Sequence, residues 1–449
     1  MHLRNKNISI VGGGLVGSLL SIFLSQQGAK VSVFDKRSDI RLNKVAAGRS
    51  INLALSNRGR KALRMLDLED DILNISVPMS KRIMHSHEGV LTEQPYGQIG
   101  QSIYSVSRRE LNIKLLNIAE SNSVKIFFNQ DCHSVNTNKT TLKFNNGQTI
   151  KSDFIFGTDG AGSILRKNMS NNNTDFHVVE NFINSSYKEL TISANNDRSY
   201  KLDHDGLHIW PRKSFMVIAL PNLDGTFTCT LFAPNKGENS FSSIKDEDSV
   251  NKFFRKEFQD LYELIPDLSK QYITNPTSKL GFVRCSSWKQ NNTILLGDSC
   301  HATVPFYGQG MNSGFEDCYL LNKWLNNYKS LYDKNLNQFL HNRIIDTTAM
   351  QDLSMDNYIE MRDKTADLNF LLQKKIETWF SEKHPDKWQP LYSMVTFSDM
   401  RYSLAIKKGK LQDKIMKQIM IDNNLFQSFD IKELIKKNIE QKILSKLSV

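Results

Sequence analysis

Six residues near the start of the chain, Gly12-Gly13-Gly14-Leu15-Val16-Gly17, have the types and spacing to hold a pyrophosphate. Gly12 permits a tight turn out of a strand, Gly14 lets the backbone approach a phosphate, and Gly17 lets a helix pack close to a sheet. The first N–H groups of that helix, with its partial positive charge, would face the phosphates. Asp35 follows eighteen residues after Gly17, where a carboxylate would accept ribose hydroxyls. Such a charged hydrogen bond is worth about 1.5–3 kcal/mol. This set predicts a dinucleotide site and does not by itself separate FAD from NAD.

A second group narrows the choice. Leu295-Leu296-Gly297-Asp298 ends an apolar run, and a loop containing Pro305 leads to Gly308-Gln309-Gly310-Met311-Asn312. A carboxylate at a strand end would hold a ribityl chain, and a glycine loop at a helix start would offer N–H groups to a flavin edge. A third group, Asp159-Gly160-Ala161-Gly162-Ser163-Ile164-Leu165-Arg166, has the form D-G-x-x-S-x-x-R. The three groups, in this order, resemble the FAD-dependent aromatic hydroxylases. Cys300-His301 is not read as a nucleophile pair, because consecutive residues rarely face each other.

A frame must bring these residues together. Ile8 to Val11 is expected to be a strand, Val16 to Gln26 a helix stopped at Gly28, and Val31 to Phe34 a second strand, which makes a βαβ unit. Asn57 to Leu68 and Arg109 to Ser121 read as helices. Arg82 to Tyr96 reads as a hairpin around Glu88-Gly89, and His208 to Phe232 as strands and turns. Lys125–Phe128, Thr141–Phe144, Phe154–Phe156 and Thr293–Leu296 read as further strands, and the chain beyond Met311 as nearly all helical. The expected fold is α/β: a Rossmann-like FAD-binding domain (1–75, 105–180 and 285–330), an inserted β-sheet substrate domain (76–104 and 181–284) and a C-terminal helical region (331–449). If the hairpin is centred on Gly89, Arg82 faces Tyr96, and a guanidinium fork with a phenol hydroxyl would suit a carboxylate.

Composition bounds the alternatives. The 449 residues are 39% hydrophobic and 23% charged, as in a folded globular chain. The net charge is +11, and from Arg401 to Val449 there are 11 Lys/Arg against 5 Asp/Glu. Apolar Ile431, Leu434, Ile435, Ile439 and Leu444 recur at helical spacing there. That predicts an amphipathic tail helix, in which peripheral membrane contact is one use and simple packing another. Five cysteines without a C-x-x-C suggest neither disulfides nor zinc, and they favour a reducing compartment, here the cytoplasm. No metal site and no nucleic-acid partner are expected, and His85-Ser86-His87 read as solvent-facing strand residues. The uncharged run from Asn7 to Ala29 could imitate a signal peptide or a membrane span, but its glycine cluster fits the strand–turn–helix better.

Longer segments carry a narrower resemblance. Arg49-Ser50-Ile51-Asn52-Leu53-Ala54-Leu55-Ser56, Tyr104-Ser105-Val106-Ser107-Arg108, Pro305-Phe306-Tyr307-Gly308-Gln309-Gly310-Met311-Asn312-Ser313-Gly314-Phe315-Glu316-Asp317-Cys318 and Asn357-Tyr358-Ile359-Glu360-Met361-Arg362 resemble the kynurenine 3-monooxygenase family, up to about Tyr402. The resemblance implies tight, non-covalent FAD, NADPH and O2 as co-substrates, and hydroxylation of L-kynurenine to 3-hydroxykynurenine through a flavin C4a-hydroperoxide. It assigns Arg82 and Tyr96 to the substrate carboxylate, and Asn357, Tyr392 and Phe232 to further substrate contacts. For FAD it points to Val16, Asp35, Arg37, Ala54, Arg108, Cys132, Asp298, Met311 and Asn312, beside Gly12, Gly14, Gly17 and Asp159 from the motifs. Pro305, Phe306 and Gly310 would lie against the reacting ring. Asp35 stands where family members commonly have Glu. The polar end Lys442–Val449 departs from the hydrophobic anchor of eukaryotic members, so no transmembrane anchor is expected. A flavin monooxygenase for another aromatic acid, a halogenase and a non-catalytic flavin sensor are the other readings.

Overall fold

The computed structural model describes residues 3–42, 52–97, 100–171, 173–363, 368–426 and 430–447. Arg49, Ser50, Ile51, Lys364, Ser448 and Val449 lie outside them, as do the side chains of Met361 and Arg362.

The chain opens with β1 (Asn7–Val11), α1 (Leu15–Gln26) and β2 (Lys30–Phe34). The strands pair in parallel, Ile8 with Val31 and Ile10 with Val33. Phe154–Gly157 and Thr293–Leu295 continue the parallel sheet on one side, and Lys125–Phe127 on the other. Strands buried on both faces must be apolar throughout, and Phe154, Ile155 and Phe156 are fully buried. α1 packs on this sheet through Leu19, Leu20, Ile22 and Phe23.

Gly17 sets how closely α1 approaches. A Cβ there would lie 2.0 Å from the Gly12 carbonyl oxygen and 2.5 Å from Thr158 Oγ1. Gly12 itself has φ +104°, which strongly favours glycine. Gly17→Ala is therefore expected to push α1 off the sheet. The check is the flavin absorbance retained after gel filtration of reconstituted protein, which should be largely lost.

A second sheet has seven strands. Its order is Thr277–Cys285, Val178–Ile192, Phe227–Pro234, Phe215–Pro221, Gly206–Arg212, then β5 (Lys81–His85) and β6 (Leu91–Pro95); the preceding short strands β3 (Asn52–Leu55) and β4 (Ser76–Met79) flank Ile103–Ser107 in a separate sheet. One face of the large sheet, with Leu190, Trp210, Val217 and Leu231, packs under the helices Glu247–Glu257, Gln259–Leu264 and Leu268–Thr274. These helices were not anticipated within the β-rich segment. The other face carries Met216, Ile218 and Phe232, which pack with Phe306 and Val304 from the opposite domain.

Three expectations need correction. The β5–β6 register pairs Arg82 with Gln94 and His85 with Leu91, so the hairpin is centred on Glu88 and Tyr96 lies diagonal to Arg82, not opposite it. The cause is the turn, closed by Ser86 N–H to the Val90 carbonyl, which shifts the centre by one residue and the pairing by two. His85 does not face solvent; it is 3% exposed. The tail is not one helix but two, Ile431–Lys436 and Ile439–Leu447, broken at Asn438 with φ +53°. Leu434, Ile439 and Ile443 are buried against Trp379, Phe380 and Met416 of the preceding helices.

All five cysteines are free and buried. Among the described residues, no helix is long and apolar enough to cross a membrane, and no cluster of His, Cys, Asp and Glu could hold a metal ion.

Candidate functional site

Two helix starts open on one cavity of about 4240 Å³. α1 begins at Gly14 with no side-chain cap and no acidic residue in its first turn. Helix Gly310–Tyr328 likewise begins without a side-chain cap. Their first N–H groups lack intrahelical partners, so each end suits electron-rich oxygen. A Cβ at Gly14, Gly160 or Gly162 would meet nothing within 4 Å, which leaves a backbone cradle beside α1. Val16, Arg108, Asp298 and Met311 line the same space. These residues fit a dinucleotide such as FAD, with its pyrophosphate at α1 and a planar ring near Gly310.

Several motif residues are not part of this lining. Asp35 is buried; its Oδ2 accepts from Gly13 N–H (2.8 Å) and Arg37 Nη2 (2.7 Å), and its Oδ1 from Arg37 N–H (2.8 Å) and Nε (2.9 Å). Burial opposes its charge, but the Arg37 and Gly13 bonds hold its carboxyl below the ordinary carboxylate range. The four lone-pair directions are thus taken, and a ribose hydroxyl reaching Asp35 would exchange with the largely exposed Arg37 head. Asp35→Asn is expected to weaken FAD binding about tenfold to a hundredfold, the loss of one charge-assisted bond, measured by fluorescence titration.

Asn312 is fully buried and bridges backbone groups. Its Nδ2 donates to the Ala54 and Gly308 carbonyls (both 2.8 Å), and its Oδ1 accepts from Ser56 N–H (2.9 Å). Asp159 receives the Ile164 N–H (2.8 Å) at the start of helix Ile164–Asn171, while its second oxygen is buried without a partner. Burial pushes its carboxyl up. Arg166 donates to the Ser299 carbonyl (2.7 Å), which ties this motif to the Gly297-Asp298 turn. Cys132 is buried on strand Cys132–Asn136, and burial pushes its thiol up to about 12. The Cys300 Sγ is turned back on the Gly297 carbonyl and its thiol is likewise pushed up by burial, so it pairs with no histidine.

Arg82 lines the same cavity. Its guanidinium lies 5.0 Å from the Tyr96 ring centroid and 4.3 Å from that of Tyr392. Tyr392 stacks on Tyr96 at 5.3 Å and meets Tyr307 at 5.4 Å. Burial opposes the arginine's charge, yet the Tyr392, Tyr96 and Tyr307 hydroxyls hold it above arginine's ordinary value. No carboxylate among the described residues pairs with it. Tyr96 Oη is buried beside the Arg82 side chain. A half-buried cation ringed by phenol hydroxyls, with no carboxylate to pair with, is the chemistry of an anion site.

Between Arg82 and the helix start at Gly310 the wall is apolar. Phe232 meets Phe306 at 5.0 Å, and Phe306 stacks on Tyr358 at 4.5 Å. Asn357 Nδ2 donates to the Phe306 carbonyl (2.6 Å), so it fixes the Pro305–Tyr307 turn from the helix Leu336–Asp363.

The FAD binding domain family matches residues 5–330. A kynurenine 3-monooxygenase from Christiangramia forsetii is 47% identical over 98% of this chain and 99% of its own length. One from Dictyostelium discoideum is 38% identical over 99% of both chains. The chain belongs to the kynurenine 3-monooxygenase family. Among solved structures, 2-methyl-3-hydroxypyridine-5-carboxylic acid oxygenase has a TM-score of 0.67 at 18% identity, over 81% of this chain and 95% of that one. PqsL of Pseudomonas aeruginosa, solved with 2-aminobenzoylacetate, has a TM-score of 0.66 at 15% identity, over 80% and 97%. Both share the fold.

Seen within the kynurenine 3-monooxygenase family, the cavity gathers residues from both domains. Gly14, Val16, Ala54, Arg108, Asp298 and Met311 line one part. Arg82, Tyr96, Phe232, Phe306, Asn357 and Tyr392 line the other, with Pro305 and Gly310 between. Gly12, Gly17, Asp35, Arg37, Cys132, Asp159 and Asn312 are not part of that lining. Sequence reasoning missed Tyr307, Met216 and Ile218, which also line the cavity. Phe215–Pro221 is apolar throughout, so no alternation singled out the last two.

Proposed function

We propose that this protein hydroxylates L-kynurenine to 3-hydroxykynurenine with FAD, NADPH and O2. The observation that carries the proposal is Arg82, half-buried and paired with no carboxylate among the described residues, between Tyr96 and Tyr392 on the wall of the cavity that also takes in the glycine cradle. Arg82 binds the substrate carboxylate by its fork, and Tyr96 Oη adds a donor. Phe232, Phe306, Met216 and Ile218 position the aromatic ring and exclude water. FAD is held by N–H groups at Gly14 to Gly17, by Asp298 at the ribityl chain, and by the Gly310–Asn312 backbone at the ring. Arg108, Ala54, Arg37, Cys132 and Asp35 complete its surroundings. Bound FAD supplies the oxygen-activating redox chemistry. No side chain is asked to serve as general acid or base. Asn357 keeps the Pro305–Gly310 loop in place through the Phe306 carbonyl.

The free, buried cysteines support a cytoplasmic site of action. Exposed Ile421, Ile431 and Ile435 beside tail lysines are where peripheral contact with an anionic bilayer would occur. The deciding assay uses the full chain reconstituted with FAD, NADPH, O2 and L-kynurenine. The expected product is heavier than the substrate by one oxygen atom. NADPH oxidation stimulated by another aromatic acid, with no product from L-kynurenine, would replace the substrate named here.

A further inference from the structure

On the face of β5 opposite Arg82, a chain of hydrogen bonds crosses the sheet. His85 Nδ1 meets Asp260 Oδ2 at 2.8 Å, His85 Nε2 meets His208 Nδ1 at 2.8 Å, and His208 Nε2 meets the Asp203 carbonyl at 2.7 Å. Both rings are buried, at 3% and 2% exposure. Trp210 Nε1 donates to the same Asp260 oxygen (2.7 Å), and its ring stacks on His85 at 3.9 Å.

Proton counting constrains this chain. The carbonyl can only accept, so His208 Nε2 carries hydrogen. An ionised Asp260 also only accepts, so the third bond needs hydrogen on His85 Nδ1. The bond between the rings needs one more. Three bonds require three protons, whereas two neutral imidazoles carry two. We propose that His85 and His208 together hold one extra proton, opposite the Asp260 carboxylate, and that this charged chain positions the hairpin that carries Arg82.

The surroundings agree. Burial opposes the charge of Asp260, but the His85 and Trp210 bonds hold its carboxyl below the ordinary range, so it does not supply the missing proton. Burial pushes His208 down to about 4, so the extra proton is not held on that ring alone. The indole face against His85 suits a cation. Arg212 faces the site but directs its Nη1 to the His85 carbonyl (3.0 Å) and its Nη2 to that of Ser86 (3.1 Å). Lys81 is paired with Glu93 (2.8 Å) and Asp203 (2.9 Å), and Glu257 faces His87 at 3.7 Å.

The hairpin needs such an anchor. β6 is the sheet edge, and all five of its residues are exposed. On its other side β5 pairs in parallel with Gly206 to Ile209, with Arg212 and Asp203 reaching its two ends. The histidine chain ties β5 across Gly206–Arg212 to the helix Gln259–Leu264, 175 residues away in sequence. Loss of the extra proton as pH rises would set the His85 Nε2 and His208 Nδ1 lone pairs against each other and loosen that tie. His85, His208 and Asp260 are positioning residues; they act on substrate through Arg82.

The positioning half rests on the function proposed above, and the proton count does not. The test begins with nitrogen NMR of the FAD-reconstituted full chain, labelled only in its ten histidines, with signals assigned by His85→Gln and His208→Gln. Three protonated nitrogens among the four of this pair are expected at pH 7, and two would overturn the shared proton. If a variant fails to fold, the wild-type titration still yields the count. Asp260→Asn is expected to raise KM for L-kynurenine about threefold to tenfold, with kcat falling less and FAD occupancy unchanged, as for one lost buried bond. The alkaline rise in KM should also shrink. An unmoved KM and pH profile in Asp260→Asn would overturn the positioning role. Absence of product from wild type would count against the proposed reaction while the nitrogen count stood.

Discussion

Arg82→Ala should raise KM for L-kynurenine by at least about thirtyfold while FAD stays bound, because a desolvated carboxylate that loses its partner costs about 2–5 kcal/mol. The same substitution should leave the melting temperature nearly unchanged. Arg82 is surrounded by Tyr96, Tyr307 and Tyr392 and faces no carboxylate among the described residues. Its removal therefore breaks no ion pair in the fold. A purely structural arginine would behave oppositely and lower the melting temperature. Arg82→Lys keeps the charge but loses the planar fork, so it should fall between the two. Steady-state kinetics with a thermal melt of the same preparations checks both halves; an unchanged KM would remove Arg82 from the site.

Asp317→Asn should have the largest effect on stability, about 3–5 kcal/mol, because it breaks a buried charge network from one side. Asp317 is fully buried. It accepts from Gly297 N–H (3.1 Å), from Arg343 Nη2 (2.8 Å) and Nε (3.2 Å), and faces His301 Nε2 at 2.5 Å. Arg343 continues to Glu316 (3.0 Å), and Glu316 to Arg58 (2.6 Å). Arg58 reaches the Val395 and Met400 carbonyls and lies over Tyr402, whose hydroxyl donates to Gln309 (2.9 Å). One carboxylate thus supports the Gly297-Asp298 turn and, through this network, the loop before Gly310. Burial opposes the Asp317 charge, but His301 and Arg343 hold its carboxyl below the ordinary value of 3.8. Its contribution is present above that value and is lost as pH falls through the lower folded one. Denaturant unfolding of wild type and Asp317→Asn, with flavin release followed in parallel, measures both consequences.

The glycine motif was legible because its logic is local: strand, turn, helix and second strand occupy the 28 consecutive residues from Asn7 to Phe34. Pairings over longer spans were not. Arg82 and Tyr96 do converge, but a one-residue error in the turn centre misplaced their register, since nothing in Ser86–Val90 marks which residue is the midpoint. The His85–Asp260 link joins residues from separate elements, and each alone looks like an ordinary polar residue. Asn312 was assigned to FAD from the motif it sits in, while its side chain serves β3 and the Gly308 loop. Arg58, Glu316 and Arg343 carry no periodic signal; only the packing of helix Asn57–Arg64 on Gly310–Tyr328 and Leu336–Asp363 brings their charges together.

The five cysteines have a practical consequence. Burial pushes the thiols of Cys132, Cys229 and Cys285 up to about 12, and those of Cys300 and Cys318 higher than their ordinary value. Alkylating reagents attack thiolates that solvent can reach, so the native molecule is chemically silent toward them. Cys229 lies in the core under the large sheet's helices, and Cys132, Cys285, Cys300 and Cys318 lie in the core around the parallel sheet. Mass spectrometry of timed alkylation would therefore read the opening of each core separately. A cysteine placed on the exposed β6 edge would take a fluorophore without removal of any natural one.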